Sequence, residues 1–582
     1  MSAVRQHGLP WLVGPWLVGL AVLLAWLPAL RLGFVNYDDG TYVLDNAAVH
    51  SLDWGTVRWA FLSQHESNWN PLSWLSHAVD WALWGREPAG HHLTSVLLHA
   101  LNAGLLAALA RRLAAAAGIE GGVALAAGAA AGLLFGLHPV QVEAVAWVAQ
   151  RKTVLFATFA LLAALAWVGW GRTGRRRWYA AALAAVAGAL LSKGVAVTLP
   201  AMLLVLDWYP LARHRTAGWR RLLREQAPLL LLAAGAALVV LAGNAVGGGL
   251  AAQAIVPPSD SVAAVPPALL RYARVLLWPN DLSPLHPLPE RADLAGAIAV
   301  AVALAAAAGG LAVLARRRPA PLAAAMWLTL GLLPTLGLVR VGVPVLAAER
   351  YLYLAAAGPF LLAAAGLALA ARRLSPPLML PVAVAVPLAL LPVLWAELPV
   401  WTDSGRFWNR VLARYPEVPL ALVGRGFADL DAQDWGAALR HCGRAAALAP
   451  ADLTALNCRG EAHAGLGRHA EAVRDFTEVL RRGGANPVVL SSRGLSLLRL
   501  GDMARAESDL RAALRADGTH VPALYNLALV RAGRGDAEEA CGLLRQARRH
   551  GFTDRGLVET DAGFDPVRGA PCVRRVLDAW NP

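Results

Sequence analysis

Eleven apolar stretches, each near the ~20 residues a helix needs to cross a hydrocarbon core, divide residues 1–402 and fix what this chain can be. They cover 10–31, 93–110, 122–138, 153–170, 178–193, 195–211, 227–245, 294–315, 321–339, 351–371 and 378–397. A mean hydropathy of +0.47 with 16% charged residues excludes an ordinary soluble domain over that length. The loops after the even-numbered stretches read ARRLAA, GRTGRRRW, ARHRTAGWRRLLRE, ARRRPAP and ARRLSPP, whereas 32–92 and 246–293 are sparsely basic. Arg-rich loops stay cytoplasmic, so a cytoplasmic N-terminus is expected, and an odd number of spans places 32–92 and everything past residue 400 outside. The opening apolar run is too long for a cleaved signal peptide and reads as a retained span. The formal net charge of +14 sits in short clusters between apolar runs, as topology signals do, rather than on one face as nucleic-acid binding requires.

From residue 421 the pattern changes to charged, helix-forming windows that begin at Ala421, Ala455, Val489 and Ala523, 34 residues apart. Small residues recur in register: Gly426, Gly460, Gly494 and Ala528, then Ala438, Ala472, Ala506 and Ala540, then Ala445, Val479, Ala513 and Ala547. Period 34 with small residues at helix crossings is the tetratricopeptide signature, a stack of helix pairs sharing one core. The expected architecture is all-α: a polytopic membrane domain over 1–402, a linker or lead-in helix over 403–420, four repeats over 421–556 and a cap over 557–582. Cys442 and Cys458 fall on adjacent helices of such a stack, and an oxidising exterior would permit a disulfide between them, or between Cys541 and Cys572. Four small buried hydrophobes are the alternative.

Chemistry-bearing residues gather in the outer loops. FVNYDDGTYVLDN sets Asp38 beside Asp39 just past the first span; two repelling carboxylates there serve either function or a turn or cap at Asp39–Gly40. The same loop carries six tryptophans and an expected interfacial helix with His77 and Asp80 three residues apart on one face, followed by His91, His92 and His99. LHPVQVEAVAWVAQRKTVL supplies His138, Glu143, Arg151 and Lys152, LLSKGVAVTLP supplies Ser192 and Lys193, RYARVLLWPNDLSP supplies Arg271 and Arg274, and AERYLY supplies Glu349, Arg350 and Tyr351. Arginines at a membrane edge also serve as snorkelling anchors, and histidines there as packing residues.

Of 53 basic residues only Lys152 and Lys193 are lysine, and both stand in these outer clusters. A compact ammonium on a flexible stem does what a planar guanidinium cannot, which makes them candidates for gripping a phosphate or pairing a carboxylate.

Taken in order, NYDDGTYVLDN, NPLSWLSHAVD, HHLTSVLLHALNA, LHPVQVEAVAWVAQRK, LSKGVAVTLPAMLLVLDWYPL, LLWPNDLSP, AERYLYL and the repeats resemble the transmembrane and tetratricopeptide-repeat-containing proteins and their bacterial relatives, within the GT-C superfamily of glycosyltransferases. The resemblance runs from about residue 34 to residue 550. It implies inverting transfer of a sugar, mannose or another hexose, from a polyprenyl-phosphate carrier to a hydroxyl of a protein or glycan, at the extracytoplasmic face of a bacterial inner membrane. Tyr37-Asp38-Asp39 resembles the aromatic–Asp–Glu motif of protein O-mannosyltransferases with Asp for Glu, which implies Asp38 as base and Asp39 as its support. His138, Glu143, Arg151, Lys152, Lys193, Arg271 and Arg350 are then candidates for the donor phosphate and sugar, and His77, Asp80, His91, His92 and Glu349 for acceptor or supporting roles. The repeats would hold a peptide acceptor. A divalent cation stays open, since two adjacent acids are not a complete ligand set. The rival reading is a non-catalytic membrane scaffold whose repeats recruit envelope proteins; a transporter would place its ionisable groups in mid-span.

Overall fold

The computed structural model describes residues 10–66, 68–246, 258–289, 293–337, 345–373 and 376–579. Residues 338 and 339 of the expected apolar stretch 321–339, parts of the expected outer loop 246–293 and the last three residues of the expected cap lie outside that set. The chain divides into two units, Met1–Arg410 and Val411–Pro582. That boundary lies inside the stretch expected to be a linker or lead-in helix: helix Ser404–Arg414 spans it, and residues 403–410 belong to the first unit.

In the first unit, helix α1 (Pro10–Trp26) leads to a loop carrying α2 (Trp54–Leu62) and α3 (Pro71–Trp84), then to α4 (Pro88–Ala116), α5 (Gly121–Leu137), α6 (Val142–Ala146), α7 (Arg151–Thr173), α8 (Arg176–Ser192) and α9 (Leu199–Trp208). Further on come α10 (Arg213–Thr216), α11 (Trp219–Val246), α12 (Pro258–Leu277), α13 (Leu294–Leu314), α14 (Ala320–Leu332), α15 (Leu352–Ala355), α16 (Ala357–Ala371) and α17 (Pro376–Leu388). Among the described residues six helices are long and apolar enough to cross a membrane, or eight if two bent pairs, α5–α6 and α15–α16, each count as one span. Two shorter apolar segments, Gly194–Trp208 and Ala320–Thr335, add to them. The expected count of eleven therefore includes segments too short or too bent to qualify by length alone.

Packing among α1, α4 and α5 depends on small residues, since helices in lipid gain by close approach and not by hydrophobic burial. A Cβ on Gly132 of α5 would lie 2.6 Å from the Ala103 carbonyl oxygen of α4. Inside the bundle, polar side chains bond across helices: His99 Nδ1 lies 2.7 Å from the Tyr353 hydroxyl, and Asn102 donates to the Val154 carbonyl at 2.9 Å. His99, expected near the outer cluster, is thus committed to holding α4 against α15.

The second unit is a run of helix pairs: Pro419–Asp431 with Trp435–Leu448, Leu453–Gly465 with His469–Gly483, Pro487–Arg499 with Met503–Ala516, and Val521–Gly533 with Ala537–Arg549. The residues in register are buried where the helices cross: Ala438, Ala472, Ala506 and Ala540 are all 0% exposed. The N-caps repeat as well. Asp434, Asp502 and Asp536 accept from backbone N–H groups of the second helix in their pairs, and Asp452, Asn486 and His520 do so for the first. The turn between paired helices carries a left-handed residue at Gln433, Gly467, Gly501 and Gly535, where glycine pays no steric penalty. Arg459 pairs with Asp475 and Arg493 with Asp509 at equivalent positions, while the fourth repeat has buried Leu527 and Leu543 there instead. Cys442 and Cys458 form a disulfide with Cα atoms 5.6 Å apart, and Cys541 and Cys572 another at 6.1 Å.

Candidate functional site

The loop after α1 is held at both of its first turns. Gly33 N–H donates to the Thr402 carbonyl at 3.0 Å, Asn36 N–H to the Ser404 hydroxyl at 2.9 Å, and the Trp408 indole N–H to the Asn36 side chain at 2.6 Å. His92 Nε2 reaches the Gly33 carbonyl at 3.3 Å. Tyr37 then stacks on Trp147, ring centroids 5.0 Å apart, with Phe407 and Trp408 on its other sides.

This anchoring gives the two aspartates different surroundings. Asp39 is 1% exposed and accepts from the Val35 N–H and the Ala149 N–H, both at 2.9 Å, so it ties the loop to the start of α7. It precedes a short helical turn, Gly40–Leu44, but its side chain makes no cap bond there. Burial pushes the Asp39 carboxyl up to about 7, the two N–H donors oppose that rise, and the charge of Asp38 adds to it. Asp38 is half-buried, and among the described residues its carboxylate accepts no hydrogen bond. Its backbone carbonyl receives the Tyr42 N–H at 2.9 Å, which starts the turn that brings Tyr42 inward.

The charged groups of this region begin with the cation that Asp38 meets. The Lys152 ammonium interacts electrostatically with Asp38, Glu66 and Arg350, donates to the Tyr42 hydroxyl at 2.6 Å and lies 4.2 Å from that ring's centroid. Arg350 is ion-paired with Glu143, which also accepts the Arg350 backbone N–H at 2.7 Å, and its guanidinium lies 5.3 Å from the Trp147 ring and 4.9 Å from that of Tyr351. Lys193 donates to the Thr153 hydroxyl at 2.7 Å, and Thr153 passes the chain to Gln150. Lys193, Thr153, Thr198, Thr335, Arg350 and Tyr351 line one recess. Two cations in one recess are groups that can bind a phosphate.

The remaining candidates fall elsewhere. Arg151 is 0% exposed, paired with Asp80 at 2.7 Å and bonded to Ser76, Ser95 and the His91 carbonyl, while Thr94 donates to the other Asp80 oxygen. Asp80, Arg151 and His91 thus form a sealed joint between α3, α4 and α7, and α3 is packed inward through His77 and Asp80. His77 is fully buried, and burial, with the Arg151 charge adding, holds its imidazole well below the usual range and therefore neutral. Arg271 bonds Asp281, His286 and Glu349 in a separate cluster. His138 caps Val140 and reaches the Leu276 carbonyl at 3.2 Å, marking the bend between α5 and α6. Among the described residues no group of three or more His, Cys, Asp or Glu gathers in a way that could hold a metal ion.

Sequence reading missed Tyr42, Trp147, Thr153 and Trp408. Tyr42 had a signal, standing four residues after Asp38. Trp408 had none, because its contact with Asn36 bridges 372 residues.

Comparison with known proteins finds relatives that match part of the chain. A Drosophila melanogaster protein named Protein O-mannosyl-transferase Tmtc2 is 35% identical over 190 residues, 30% of this chain and 19% of that protein. Protein O-mannosyl-transferase Tmtc1 of the same organism is 34% identical over 178 residues, 29% and 19% of the two chains. Human Protein O-mannosyl-transferase TMTC2 is 34% identical over 115 residues, 20% and 13%. The chain spans about a fifth of the length of the curated relatives it matches. No family model matches the chain. Among solved structures, a tetratricopeptide repeat protein from Parabacteroides merdae is 17% identical, covering 45% of this chain and 91% of that one with a TM-score of 0.25. YrrB, described as a TPR protein with an unusual peptide-binding site, is 16% identical over 30% and 90%, TM-score 0.24.

Proposed function

We propose that the chain is an integral-membrane glycosyltransferase that moves a sugar, mannose or another hexose, from a polyprenyl-phosphate carrier to a hydroxyl of a protein or glycan acceptor at the extracytoplasmic face. The observation that carries the reading is the contrast between the two aspartates: Asp39 is consumed by backbone donors, while Asp38 is half-buried and interacts with Lys152, which in turn feels Arg350. The partial relatives named as protein O-mannosyl-transferases support the same class.

In this reading Asp38 takes the proton of the acceptor hydroxyl as the oxygen attacks the sugar carbon from the face opposite the phosphate, so the configuration inverts. The carbon–oxygen bond to the carrier breaks, and the leaving phosphate keeps the electron pair. Lys193 and Arg350 stabilise that phosphate, with Thr153 holding Lys193 in place and Thr198 as a hydroxyl donor. Lys152, whose ammonium interacts with Asp38, balances the Asp38 charge. Arg151 becomes a positioning residue for α7 and does not meet the donor. The repeats bind an extended peptide acceptor, as stacks of helix pairs can.

The test is incubation of the purified chain with polyprenyl-phosphate mannose, or a panel of other polyprenyl-phosphate hexoses, and Ser/Thr peptides, beside Asp38→Asn. Transfer by the native chain and its loss in the variant is the expected result. Equal transfer by both removes Asp38 as base, and no transfer from any donor favours the scaffold.

A further inference from the structure

Between α2 and α3 the chain turns back on itself, and there His65 and Asn68 exchange both backbone hydrogen bonds, at 3.2 and 2.9 Å. Inside that turn Glu66 has φ +50°, a left-handed conformation that is costly for an L side chain and that tight hairpin turns give to glycine, asparagine or aspartate. The surroundings impose it. His65 Nε2 lies 2.8 Å from the Thr41 carbonyl in the loop of Asp38, and its ring meets Trp59 and Trp74, the second of which packs on Tyr42. Gln64 donates to the Val239 carbonyl of α11 at 2.7 Å, and the Trp69 indole to the Phe61 carbonyl at 2.9 Å.

Backbone strain that the surroundings hold in place collects at functional sites. A merely solvated surface glutamate gives no reason to keep φ +50°, since glycine or asparagine there removes the cost. Glu66 is exposed, yet it interacts electrostatically with the Lys152 ammonium and the Tyr42 hydroxyl, the same two groups on which Asp38 acts. Among the described residues neither acid closes an ion pair with Lys152, whose hydrogen bond goes to Tyr42. One ammonium thus answers to two carboxylates, each beyond contact distance. A carboxylate that has an ammonium to itself is held in its charged form and becomes a weaker base. A second acid acting on the same ammonium offsets that hold.

We propose that Glu66 is a positioning residue for sugar transfer, sharing the Lys152 ammonium so that the Asp38 carboxylate stays free to take the acceptor proton. The inference rests on the reading of Asp38 as base. The strained turn is what keeps a surface acid directed at that cation.

The experiment uses the purified full chain with three variants: Glu66→Gln removes the charge, Glu66→Asp keeps it, and Glu66→Gly removes it and also relaxes the backbone. Lys152 and Lys193 are the only lysines, so brief reductive methylation followed by peptide mass spectrometry reads each one separately. Expected are methylation of Lys152 faster by about threefold or more in Glu66→Gln and Glu66→Gly, near-native labelling in Glu66→Asp, and no change at Lys193. In transfer assays kcat should fall by about fivefold or more in Glu66→Gln and Glu66→Gly with KM unchanged, and Glu66→Asp should recover it. Glu66→Gly should also unfold at a higher temperature than the native chain, a gain in stability with a loss of turnover that a structural role does not produce. Equal labelling of Lys152 in the native chain and Glu66→Gln overturns the proposal whether or not sugar is transferred, and so does altered labelling with unchanged kcat. If labelling is altered but the native chain transfers no sugar from any donor, the sugar-transfer reading falls and the positioning role with it, while the interaction of Glu66 with Lys152 stands.

Discussion

The Asp39 carboxylate accepts the Ala149 N–H at 2.9 Å across 110 residues of sequence, and that single bond joins the loop after the first span to the entry of α7. The neighbouring acid is left to face Lys152. Removing the two carboxylates should therefore have different consequences.

Asp38→Asn should lower sugar transfer by about 100-fold or more, the scale of a lost general base, while moving stability by less than about 1 kcal/mol. Transfer assays and thermal unfolding of the same preparations separate the two effects. A large fall in the unfolding midpoint would make Asp38 structural.

Asp39 should make stability depend on pH. Burial raises its carboxyl to about 7 in the folded chain, against about 4 when unfolded. Between those values the folded state binds the proton more tightly, so the contribution is fully present below about pH 4 and is lost as pH rises through about 7. Asp39→Asn should flatten that part of the profile. An unfolding midpoint that rises between about pH 5 and 7.5 in the native chain, relative to the variant, would contradict the assignment.

Lys152→Arg should not substitute for lysine. The ammonium fits between the Tyr42 hydroxyl and its ring face, a geometry that a planar fork cannot reproduce. Transfer should fall by about 100-fold through displacement of neighbouring groups, even though the charge is kept. Near-native activity would mean that charge alone suffices.

Asp80→Ala should be destabilising by about 3–5 kcal/mol, because it leaves a buried guanidinium without its partner. The double variant Asp80→Leu with Arg151→Met should recover most of that loss in thermal unfolding. It should also retain measurable transfer, which a donor-binding Arg151 would not allow.

Gln433→Gly should stabilise the repeats by about 1 kcal/mol, since Gln433 occupies with a side chain the left-handed position that glycine takes at the three equivalent turns. Hydrogen exchange across 420–450 in the native and variant chains reads this out locally.

What the sequence made legible follows from the range over which each signal acts. The 34-residue period reports contacts between neighbouring helices, so the buried positions at Ala438, Ala472, Ala506 and Ala540 could be read directly. The apolar stretches likewise announce helices, but length and composition do not reveal where α5 bends into α6 at His138. Arg151 and Lys152 are adjacent and of like charge, and no local pattern separates them. Only the fold does, since consecutive helical residues point about 100° apart, one toward Asp80 and the other toward Tyr42. Nor does the 403–420 segment, expected as a linker or lead-in helix, announce its contacts: Asn36 and Trp408 meet through tertiary closure, which leaves no trace in spacing.

That closure bears on how the protein can be dissected. A membrane unit ended at residue 402 would keep every apolar stretch and both aspartates, yet it would lack Ser404, Phe407 and Trp408, which hold Asn36 and enclose Tyr37. Loss of activity in such a truncation would measure a missing wall of the site and not a need for the repeats. A cut placed after Arg410 keeps the wall, and makes the dependence on the repeats a question that experiment can ask.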